Sequence, residues 1–352
     1  MQPQQQPPPL PSPPMTGLFN LGNTCFINAC IQIMNHTFEL QDILKDQPEI
    51  LHKKNTPDYI VFSEYKNLKQ KMFQEINKPI SAETFIKAVF YVARQKNMNF
   101  CGGDQHDAQE FLMFLIECLH NTVSRGMTLN IIGNVENNTD KTAVECYKML
   151  KTIYDKEYSE IMDLYNAIFI STIYSFETSK IHSVKPEPFF MLDLPIPIVK
   201  TTKKNPIHLQ DCFDLFTCTE LLEGDNAWFN ETTHSKENVF KKYSFWNFPK
   251  ILIITLKRFS PCGNKKNNSF IHFPIENLNL SKYVDGYFPQ KYVYDLFGVC
   301  NHMGGVQGGH YNSFVLNAKQ EWWLLDDANM IHINDATNII TPTAYCLFYR
   351  KK

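Results

Sequence analysis

The sequence lacks the features that define several large classes of protein. In 352 residues, no apolar run approaches the about eighteen residues that a bilayer-spanning helix needs, so no membrane span is expected. Lys and Arg total 34 against 36 Asp and Glu, and a formal net charge of −2 provides no basic field for nucleic acid or a membrane surface. There is also no internal repeat and no glycine-rich phosphate cradle, so no cofactor is expected.

The chain start also lacks the charged and apolar regions of a targeting peptide. Its ten cysteines are scattered, and without a secretory signal this pattern predicts free thiols in the reducing cytoplasm or nucleus. Hydrophobic residues make up 43% of the chain and aromatic residues 13%, enough to bury one large core or two.

Residues 1–14 contain seven prolines and four glutamines. Such a segment cannot build a hydrogen-bonded element, so we predict a disordered, polyproline-like tail. Docking into an SH3 or WW groove is one role for it, but a passive tail is the simpler interpretation because proline runs are common.

Cys25 stands where a loop rich in glycine and asparagine turns into an apolar helix, in the segment GLFNLGNTCFINACIQ at 17–32. Unpaired backbone N–H groups and the positive end of the dipole at a helix start favour thiolate over thiol. Cys25 is therefore a candidate nucleophile with a lowered pKa. Most free cysteines are small buried hydrophobes, and this segment alone leaves that alternative open.

His310 is the candidate base, and it lies in a predicted β-hairpin. Two apolar-rich runs, GGHYNSFVL at 308–316 and EWWLLDD at 321–327, flank the polar residues 317–320. If the two strands pair around that turn, the numbers of two directly opposed residues sum to about 637, so His310 lies opposite Asp326 or Asp327. A carboxylate there can hold one imidazole nitrogen and fix its tautomer.

Cys25, His310 and an acid follow one another in the order nucleophile, general base and orienting group, as in papain-like proteases. Acyl transfer also needs donors for the negative oxygen of its tetrahedral intermediate. Asn20 offers a side-chain amide beside the Cys25 backbone N–H. Asn23 is a second candidate, although a turn or cap role explains it better.

Four motifs resemble those of the ubiquitin-specific proteases, the papain-like class of deubiquitinating enzymes. They are the segment 17–32, GDQHDAQEFL at 103–112, PKILIITLKRF at 249–259, and GGHY at 308–311 with its later Asp-Asp pair. The resemblance implies a papain-like α+β fold with thumb, palm and fingers subdomains, forming one catalytic domain over residues 15–352.

The same resemblance implies roles for individual residues. Cys25 matches the nucleophile, His310 the general base, Asp326 the orienting acid and Asn20 the oxyanion donor, and Asp327 is the alternative acid.

Further positions match family residues that hold the C-terminal tail of ubiquitin. Asp107 and Glu110 stand three apart on a predicted amphipathic helix and match an acidic pair that grips the basic tail. Phe259, His302 and Tyr311 match residues that line the channel to the active site. Without the resemblance, the two acids would be read as a solvated helix face. The buried stripe of that helix is predicted to be Phe111, Phe114, Leu115, Cys118 and Leu119.

The sequence departs from the family pattern in the fingers, which should lie mainly within residues 168–248. Many members bind zinc there through two Cys-x-x-Cys pairs, but this chain has YSFE at 174–177 and WFNETT at 228–233 in those places. The residues Cys212, Cys218, Cys262 and His234 stand alone. We therefore predict no structural zinc and a subdomain held by apolar packing that involves Trp228 and Trp246. Before the fingers, the sequence predicts a loop over 125–143 and a helix over Ala143–Ala167.

Together these patterns predict a cysteine hydrolase that cleaves the isopeptide bond at the C-terminal glycine of ubiquitin and so releases ubiquitin from conjugates. Its expected partners are ubiquitin and ubiquitinated proteins, with no nucleic acid, membrane or metal, and it is expected to be a monomer. Two alternatives stay open, namely a ubiquitin-binding pseudo-enzyme with weak catalysis and a protease for another ubiquitin-like modifier.

Overall fold

The computed structural model describes residues 15–45, 53–75, 77–98, 103–199, 205–260, 265–305 and 308–352. The α-helices of this part of the chain are α1 (Cys25–Asn35), α2 (Leu40–Ile43), α3 (Pro57–Gln74), α4 (Glu83–Gln95), α5 (Ala108–Val123), α6 (Asn138–Glu157), α7 (Glu160–Tyr165) and α8 (Leu209–Phe216). The predicted tail at 1–14 lies outside the described residues, as does Cys262.

The β-strands are β1 (Ala167–Ser175), β2 (Ile181–Phe189), β3 (Leu192–Leu194), β4 (Ile207–His208), β5 (Glu220–Leu222), β6 (Trp228–Asn230), β7 (Ser235–Glu237), β8 (Val239–Phe245), β9 (Ile251–Leu256), β10 (Ile271–His272), β11 (Leu278–Asn279), β12 (Val293–Gly305), β13 (Gly308–Leu316), β14 (Trp322–Asp326), β15 (Asn329–Ile333) and β16 (Ala344–Lys351). The predicted α+β composition is confirmed. No helix within the described ranges is both long and apolar enough to cross a membrane.

The chain divides into two compact units. The first contains the described residues of Met1–Val123, Pro261–Lys266 and Leu296–Phe348. The second contains those of Ser124–Ser260, Asn267–Asp295 and Tyr349–Lys352. The nucleophile, base and acid candidates all belong to the first unit, and the predicted fingers range belongs to the second.

In the first unit, α1 is the central element. Its sequence CFINACIQIMN is apolar on nearly every side, and all its residues are buried, as expected for a helix enclosed by other elements. It contacts α5 and β13. The strands of this unit follow the order β15, β14, β13, β12, β16, and those from β12 to β15 pair as antiparallel neighbours. The start of α1 therefore lies beside the strand that carries His310.

Helix α5 has the buried stripe that its periodicity predicts. Phe111, Phe114, Leu115, Cys118 and Leu119 all have no exposed surface. The helix begins at Ala108, so Asp107 precedes it and is not within it, and the Asp107 carboxylate accepts a hydrogen bond from the backbone N–H of Gln109 at 2.7 Å. An acid at this position is favourable because it satisfies a helix-start donor and faces the positive end of the dipole.

The second unit contains a sheet in the order β2, β1, β8, β5. Its predicted apolar packing is largely aromatic: Phe245 and Phe248 stack with ring centroids 4.3 Å apart. Trp246 is 5% exposed and packs with Ile168, Ile170, Ala143 and Cys146. Trp228 is only half-buried and contacts the His182 ring, with 5.6 Å between centroids.

The predicted helix over Ala143–Ala167 needs correction. Helix α6 begins at Asn138, because the Asn137 side chain caps it in a reciprocal capping box with Asp140. The helical run then breaks at Tyr158 and Ser159, and Ser159 caps α7. The last residue of the predicted helix, Ala167, begins β1 instead. The polar cap at Asn137 starts the helix earlier than the apolar pattern predicts, and the second cap at Ser159 divides the predicted helix near its end.

Strand β9, ILIITL, is buried at every residue and pairs in parallel with β3. A continuous apolar run is typical of a strand that is covered on both faces. The third motif is therefore a core strand, as the sequence predicts, and Phe259 follows it by three residues.

Candidate active site

The loop before Cys25 is folded around the side chain of Asn20. Its Oδ1 accepts hydrogen bonds from the backbone N–H groups of Gly22 and Thr24, each at 3.1 Å. The Thr24 hydroxyl in turn accepts from the Leu21 N–H at 2.9 Å. Short polar side chains that bond to nearby backbone are well suited to hold such a turn. The loop ends where α1 begins, so Cys25 is the first residue of the helix, as predicted.

Cys25 is 3% exposed, and the pKa of its thiol is raised above the ordinary value. Burial is the largest cause, and the charge of Asp327 adds to it. The N–H groups of Tyr311, Phe26 and Cys25 itself act in the opposite direction. The predicted lowering at the helix start is thus outweighed by desolvation. In this arrangement Cys25 is a thiol at neutral pH, and a base is required to activate it.

His310 and Asp326 are joined by a short polar contact. His310 Nε2 lies 2.5 Å from Asp326 Oδ1, and the two side chains are 38% and 34% exposed. Because Nε2 is held by the carboxylate, the other ring nitrogen, Nδ1, is the one that can exchange a proton with a nucleophile. The backbone N–H of Tyr311, the next residue on β13, is a hydrogen-bond donor to the Cys25 sulfur. The nucleophile candidate therefore lies beside the strand that carries the base candidate.

The hairpin register differs by one from the prediction. Paired residues such as Ser313 and Leu325 sum to 638, and the ladder between β13 and β14 ends there. Continued by one step, this register sets Asp326 opposite Asn312, so that His310 is a diagonal neighbour of the acid. Diagonal pairs are about 7 to 8 Å apart at the backbone, which a long side chain can span. The hydrogen bond between His310 and Asp326 therefore joins a diagonal pair of residues and not a directly opposed pair.

Asp327 ties the cysteine loop to the end of β14. It adopts a left-handed backbone (φ 50°), and its carbonyl oxygen accepts from the Leu18 N–H at 2.9 Å. Its Oδ1 accepts from Asn28 Nδ2 at 2.8 Å, and its Oδ2 accepts from Asn20 Nδ2 at 3.0 Å. Asp326 thus contacts the base, whereas Asp327 contacts the segment that carries the nucleophile.

Asn20 donates one side-chain N–H to Asp327. Because a carboxamide nitrogen carries two N–H groups, the second is available for an oxyanion. Its role as the oxyanion donor therefore stays a prediction. Asn23 adopts a left-handed backbone (φ 52°) and donates to the Gly103 carbonyl at 2.6 Å, the geometry of a turn residue.

Gln105 connects the cysteine loop with the histidine strand. Its Oε1 accepts from the Gly309 N–H at 2.5 Å, and its Nε2 donates to Asn23 Oδ1 at 3.3 Å. Gly309 itself is packed tightly, because an ideal Cβ on it would lie 2.3 Å from His302 Nε2. The Gln105 side chain therefore links the loop that precedes the candidate nucleophile to the strand that carries the candidate base.

Of the predicted tail-binding acids, Asp107 is half-buried and already bonded, since Tyr345 donates its hydroxyl to Asp107 Oδ2 at 2.7 Å. Glu110 is exposed on the first turn of α5. The two acids are close in the chain, but they differ in environment. Asp107 is fixed by its neighbours, and Glu110 faces solvent.

His302 and Tyr311 face each other across β12 and β13, with ring centroids 4.6 Å apart. Burial lowers the pKa of His302 to about 4, and the Lys266 charge adds to this, so the ring is neutral at pH 7. The first unit thus brings together these two residues and the triad candidates. Phe259 belongs to the second unit and is half-buried, and its role stays a prediction.

Within the described ranges, one group of three acidic or imidazole side chains has ligand atoms within 4.8 Å of one another, namely His310, Asp326 and Asp327. These are also the candidate base and its acids.

Two contributors were missed by the sequence reasoning. Gln105 lay within a recognised motif, but only the structure shows its bonds to Asn23 and Gly309. Asn28 carried a usable signal, because an amide within a largely apolar helix must find a partner when it is buried. It is 2% exposed, and that partner is Asp327.

Comparisons with known proteins identify the family of this chain. The family model described as ubiquitin carboxyl-terminal hydrolase matches residues 16–349. Human ubiquitin carboxyl-terminal hydrolase 2 is 32% identical over 342 residues, which cover 95% of this chain and 55% of the human protein. Ubiquitin carboxyl-terminal hydrolase 4 of Saccharomyces cerevisiae is 30% identical, with coverage of 95% of this chain and 39% of the yeast protein. The chain spans about half the length, or less, of these relatives.

Solved structures show the same fold. The SAGA DUB module that contains Ubp8, bound to monoubiquitin, matches with a TM-score of 0.69 at 22% identity, over 96% of this chain and 69% of the matched chain. The module bound to ubiquitin aldehyde matches with a TM-score of 0.69 at 22% identity, over 96% and 70%. The predicted papain-like α+β class is thereby confirmed. With the family model matched over nearly the whole sequence, this chain belongs to the ubiquitin carboxyl-terminal hydrolase family, the cysteine-type deubiquitinating enzymes.

Proposed function

We propose that this protein is a thiol-dependent deubiquitinase, which hydrolyses the isopeptide bond between the C-terminal glycine of ubiquitin and a lysine of a conjugated protein. The observation that carries the proposal is the 2.5 Å bond between His310 and Asp326, on the strand whose next N–H donates to the Cys25 sulfur. Family membership supports the choice of ubiquitin as the substrate.

In the proposed reaction, His310 Nδ1 takes the proton of the Cys25 thiol, and the sulfur attacks the carbonyl carbon of the terminal glycine. The carbonyl oxygen becomes negative, and the Cys25 N–H and the second side-chain N–H of Asn20 are its proposed donors. His310 then gives the proton to the departing lysine amine, leaving a thioester. Water, deprotonated by His310, attacks the thioester and releases ubiquitin and the thiol.

The raised pKa of Cys25 has a consequence for this mechanism. Because burial favours the thiol, the free enzyme holds little reactive thiolate at neutral pH. The proton must therefore move to His310 as part of the reaction, and Asp326 stabilises the imidazolium that forms. Misalignment of the base should therefore lower the turnover of this enzyme more than that of an enzyme that holds a preformed thiolate.

For recognition, we propose that Asp107 and Glu110 bind the basic tail of ubiquitin and that Phe259, His302 and Tyr311 line its path. Exposed Glu110 offers a free carboxylate oxygen, whereas bonded Asp107 offers a fixed one. A neutral His302 ring presents an aromatic face to a tail that ends in small residues.

We place the protein in the cytoplasm or nucleus, acting as a monomer on ubiquitinated proteins. The eight cysteines of the described part of the chain are free thiols, which suits a reducing compartment.

The test is a ubiquitin probe that carries a C-terminal electrophile, incubated with the full chain and followed by intact mass. We expect one adduct on the wild type, none on Cys25→Ala, and an unchanged adduct on Cys218→Ala, because Cys218 is an exposed thiol that serves as the matched control. Binding without an adduct would identify a pseudo-enzyme. No binding, together with an adduct on a probe built from another ubiquitin-like modifier, would assign that modifier instead.

A further inference from the structure

A lysine side chain binds the backbone carbonyl groups at the end of β12. His302 donates its N–H to the Thr343 carbonyl at 2.8 Å, and β16 begins one residue later, at Ala344. From His302 onwards, β12 therefore extends past the start of β16. Here Lys266 Nζ donates to the carbonyl oxygens of His302 at 2.7 Å and Gly304 at 3.2 Å. Backbone acceptors at the end of a ladder need other donors, and an ammonium group has three.

The part of the hairpin that Lys266 binds has few side chains of its own. Glycines form the last two pairs of β12 with β13, namely Gly304 with Gly309 and Gly305 with Gly308. Gly304 has a left-handed backbone (φ 110°), and a Cβ on it would lie 2.6 Å from the Gly309 Cα. Glycines allow this close approach but contribute no side-chain packing. The position of this end of the hairpin therefore depends on bonds from other segments of the chain.

Two side chains supply such bonds, one to each strand. Gln105 accepts from the Gly309 N–H at 2.5 Å, on β13 and next to the candidate base. Lys266 binds β12 at His302, the residue whose ring packs against Tyr311 with centroids 4.6 Å apart. The first bond thus lies beside the base and the second beside the aromatic pair. We expect the two side chains to affect different steps of the reaction.

The Lys266 charge also acts on the His302 ring. Burial is the larger cause of the lowered pKa of His302, about 4, and the Lys266 charge adds to it. The other rings that contact the imidazole are those of Tyr311 and Tyr345. The ammonium therefore holds the His302 backbone and also opposes a positive charge on its ring.

We propose that Lys266 is a positioning residue for recognition of the ubiquitin tail, because it fixes the end of β12 so that the His302 and Tyr311 rings form one wall of the tail's path. The inference rests on the proposed function, in which these two rings line that path. Lys266 acts through the β12 backbone, whereas Gln105 bonds beside the base. Loss of Lys266 should therefore raise KM more than it lowers kcat.

The first test is steady-state hydrolysis of ubiquitin that carries a fluorogenic amide at its C-terminus. Lys266→Met should raise KM about tenfold and leave kcat within about threefold of the wild type, because it misplaces a binding wall and not the reacting groups. Lys266→Arg keeps the charge and several donors, so its KM should stay within about threefold of the wild-type value. Lys319→Met is the matched control, because Lys319 is an exposed lysine in the turn after β13, and it should behave as the wild type does.

The second test is an NMR titration of the His302 imidazole in the full chain, which needs no ubiquitin. Lys266→Met should raise the pKa of His302 above that of the wild type, while burial keeps it below the ordinary value of about 6.5. Lys266→Arg and Lys319→Met should titrate as the wild type does. A role of Lys266 in stability alone would lower the melting temperature without this pattern.

Unchanged KM in Lys266→Met, an equal rise in Lys319→Met, or no recovery in Lys266→Arg would overturn the proposal. A fall in kcat at unchanged KM would also overturn it, since Lys266 would then act on the base. If Lys266→Met does not fold, Lys266→Gln takes its place with the same expected rise in KM.

A wild type that does not cleave the ubiquitin substrate would overturn the proposed function, and the tail-binding role of Lys266 with it. The titration separates that result from a failure of the contact itself. A His302 pKa that still rises in Lys266→Met would show that the ammonium acts on this residue, and an unchanged pKa would show that it does not.

Discussion

Replacing Asp327 by asparagine should lower the pKa of the Cys25 thiol, whereas Asp326→Asn should leave it unchanged. The Asp327 charge raises that pKa in the structure, and Asp326 is not among its causes. Asn is the appropriate replacement because it tolerates the left-handed backbone at this position, where Ala would add about 1 to 2 kcal/mol of strain.

The cost in stability follows from the two bonds to Asp327. The carboxylate accepts from Asn28 at 2.8 Å and from Asn20 at 3.0 Å. A carboxamide has one oxygen, so Asp327→Asn keeps at most one of these bonds, now without a charge. Hydrogen bonds to charged groups contribute about 1.5 to 3 kcal/mol when buried and neutral ones about 1. Since the Asn20 bond is exposed, we expect a total loss of about 1 to 2 kcal/mol in the free energy of unfolding.

The assay is the rate of alkylation of Cys25 as a function of pH, measured by mass spectrometry of the peptide that contains it, since exposed Cys218 also reacts. Asp327→Asn should shift this profile to lower pH. Asp326→Asn should leave the profile in place yet lower turnover by at least about 100-fold, because His310 loses its orienting acid. Urea unfolding measures the expected loss in the free energy of unfolding of Asp327→Asn.

The reasoning would be refuted by an unchanged alkylation profile in Asp327→Asn, or by an equal shift in Asp326→Asn. The first result would mean that the Asp327 charge does not reach the thiol. The second would mean that the two acids act as one unit.

Three further outcomes are expected. Gln105→Leu removes the bonds to Asn23 and Gly309 and should lower turnover about tenfold with little change in melting temperature. The reason is that these two exposed bonds, of about 1 kcal/mol each, position the site. Turnover equal to that of the wild type would exclude a positioning role. Gly309→Ala places a Cβ 2.3 Å from His302 Nε2 and should destabilise by about 3 kcal/mol or more, whereas Gly305→Ala, with open space around its Cβ, should change urea unfolding little. The pKa of His302 is lowered to about 4 in the folded state, against about 6.5 in the unfolded chain. Because the unfolded chain binds more protons between these two pH values, up to about 3 kcal/mol of stability is lost as the pH falls through them. In His302→Phe this part of the pH dependence of urea unfolding should disappear.

The sequence predicted the triad candidates because each rests on a local signal. Cys25 was identified from the change of loop into helix, and His310 from two apolar runs around a polar turn. The hairpin prediction was one residue out in register, but side-chain reach still brought Asp326 to the imidazole. The helical stripe on α5 was confirmed for the same reason, since periodicity is a local property.

Polar caps limited what periodicity could predict elsewhere. The helix predicted over Ala143–Ala167 is two helices, because Asn137 and Ser159 each satisfy the N–H groups of a new helix start. An apolar pattern reports which face is buried. It does not report where backbone hydrogen bonding begins and ends.

What the sequence by itself determined is the set of candidate reactive groups and the class of fold that presents them. Only the tertiary structure decided the pKa direction of Cys25, because burial and the Asp327 charge depend on residues about 300 positions away. It also decided that Gln105 joins the cysteine loop to the strand that carries His310. These properties depend on which distant side chains meet and how much water they exclude, and no local pattern of residues contains that information.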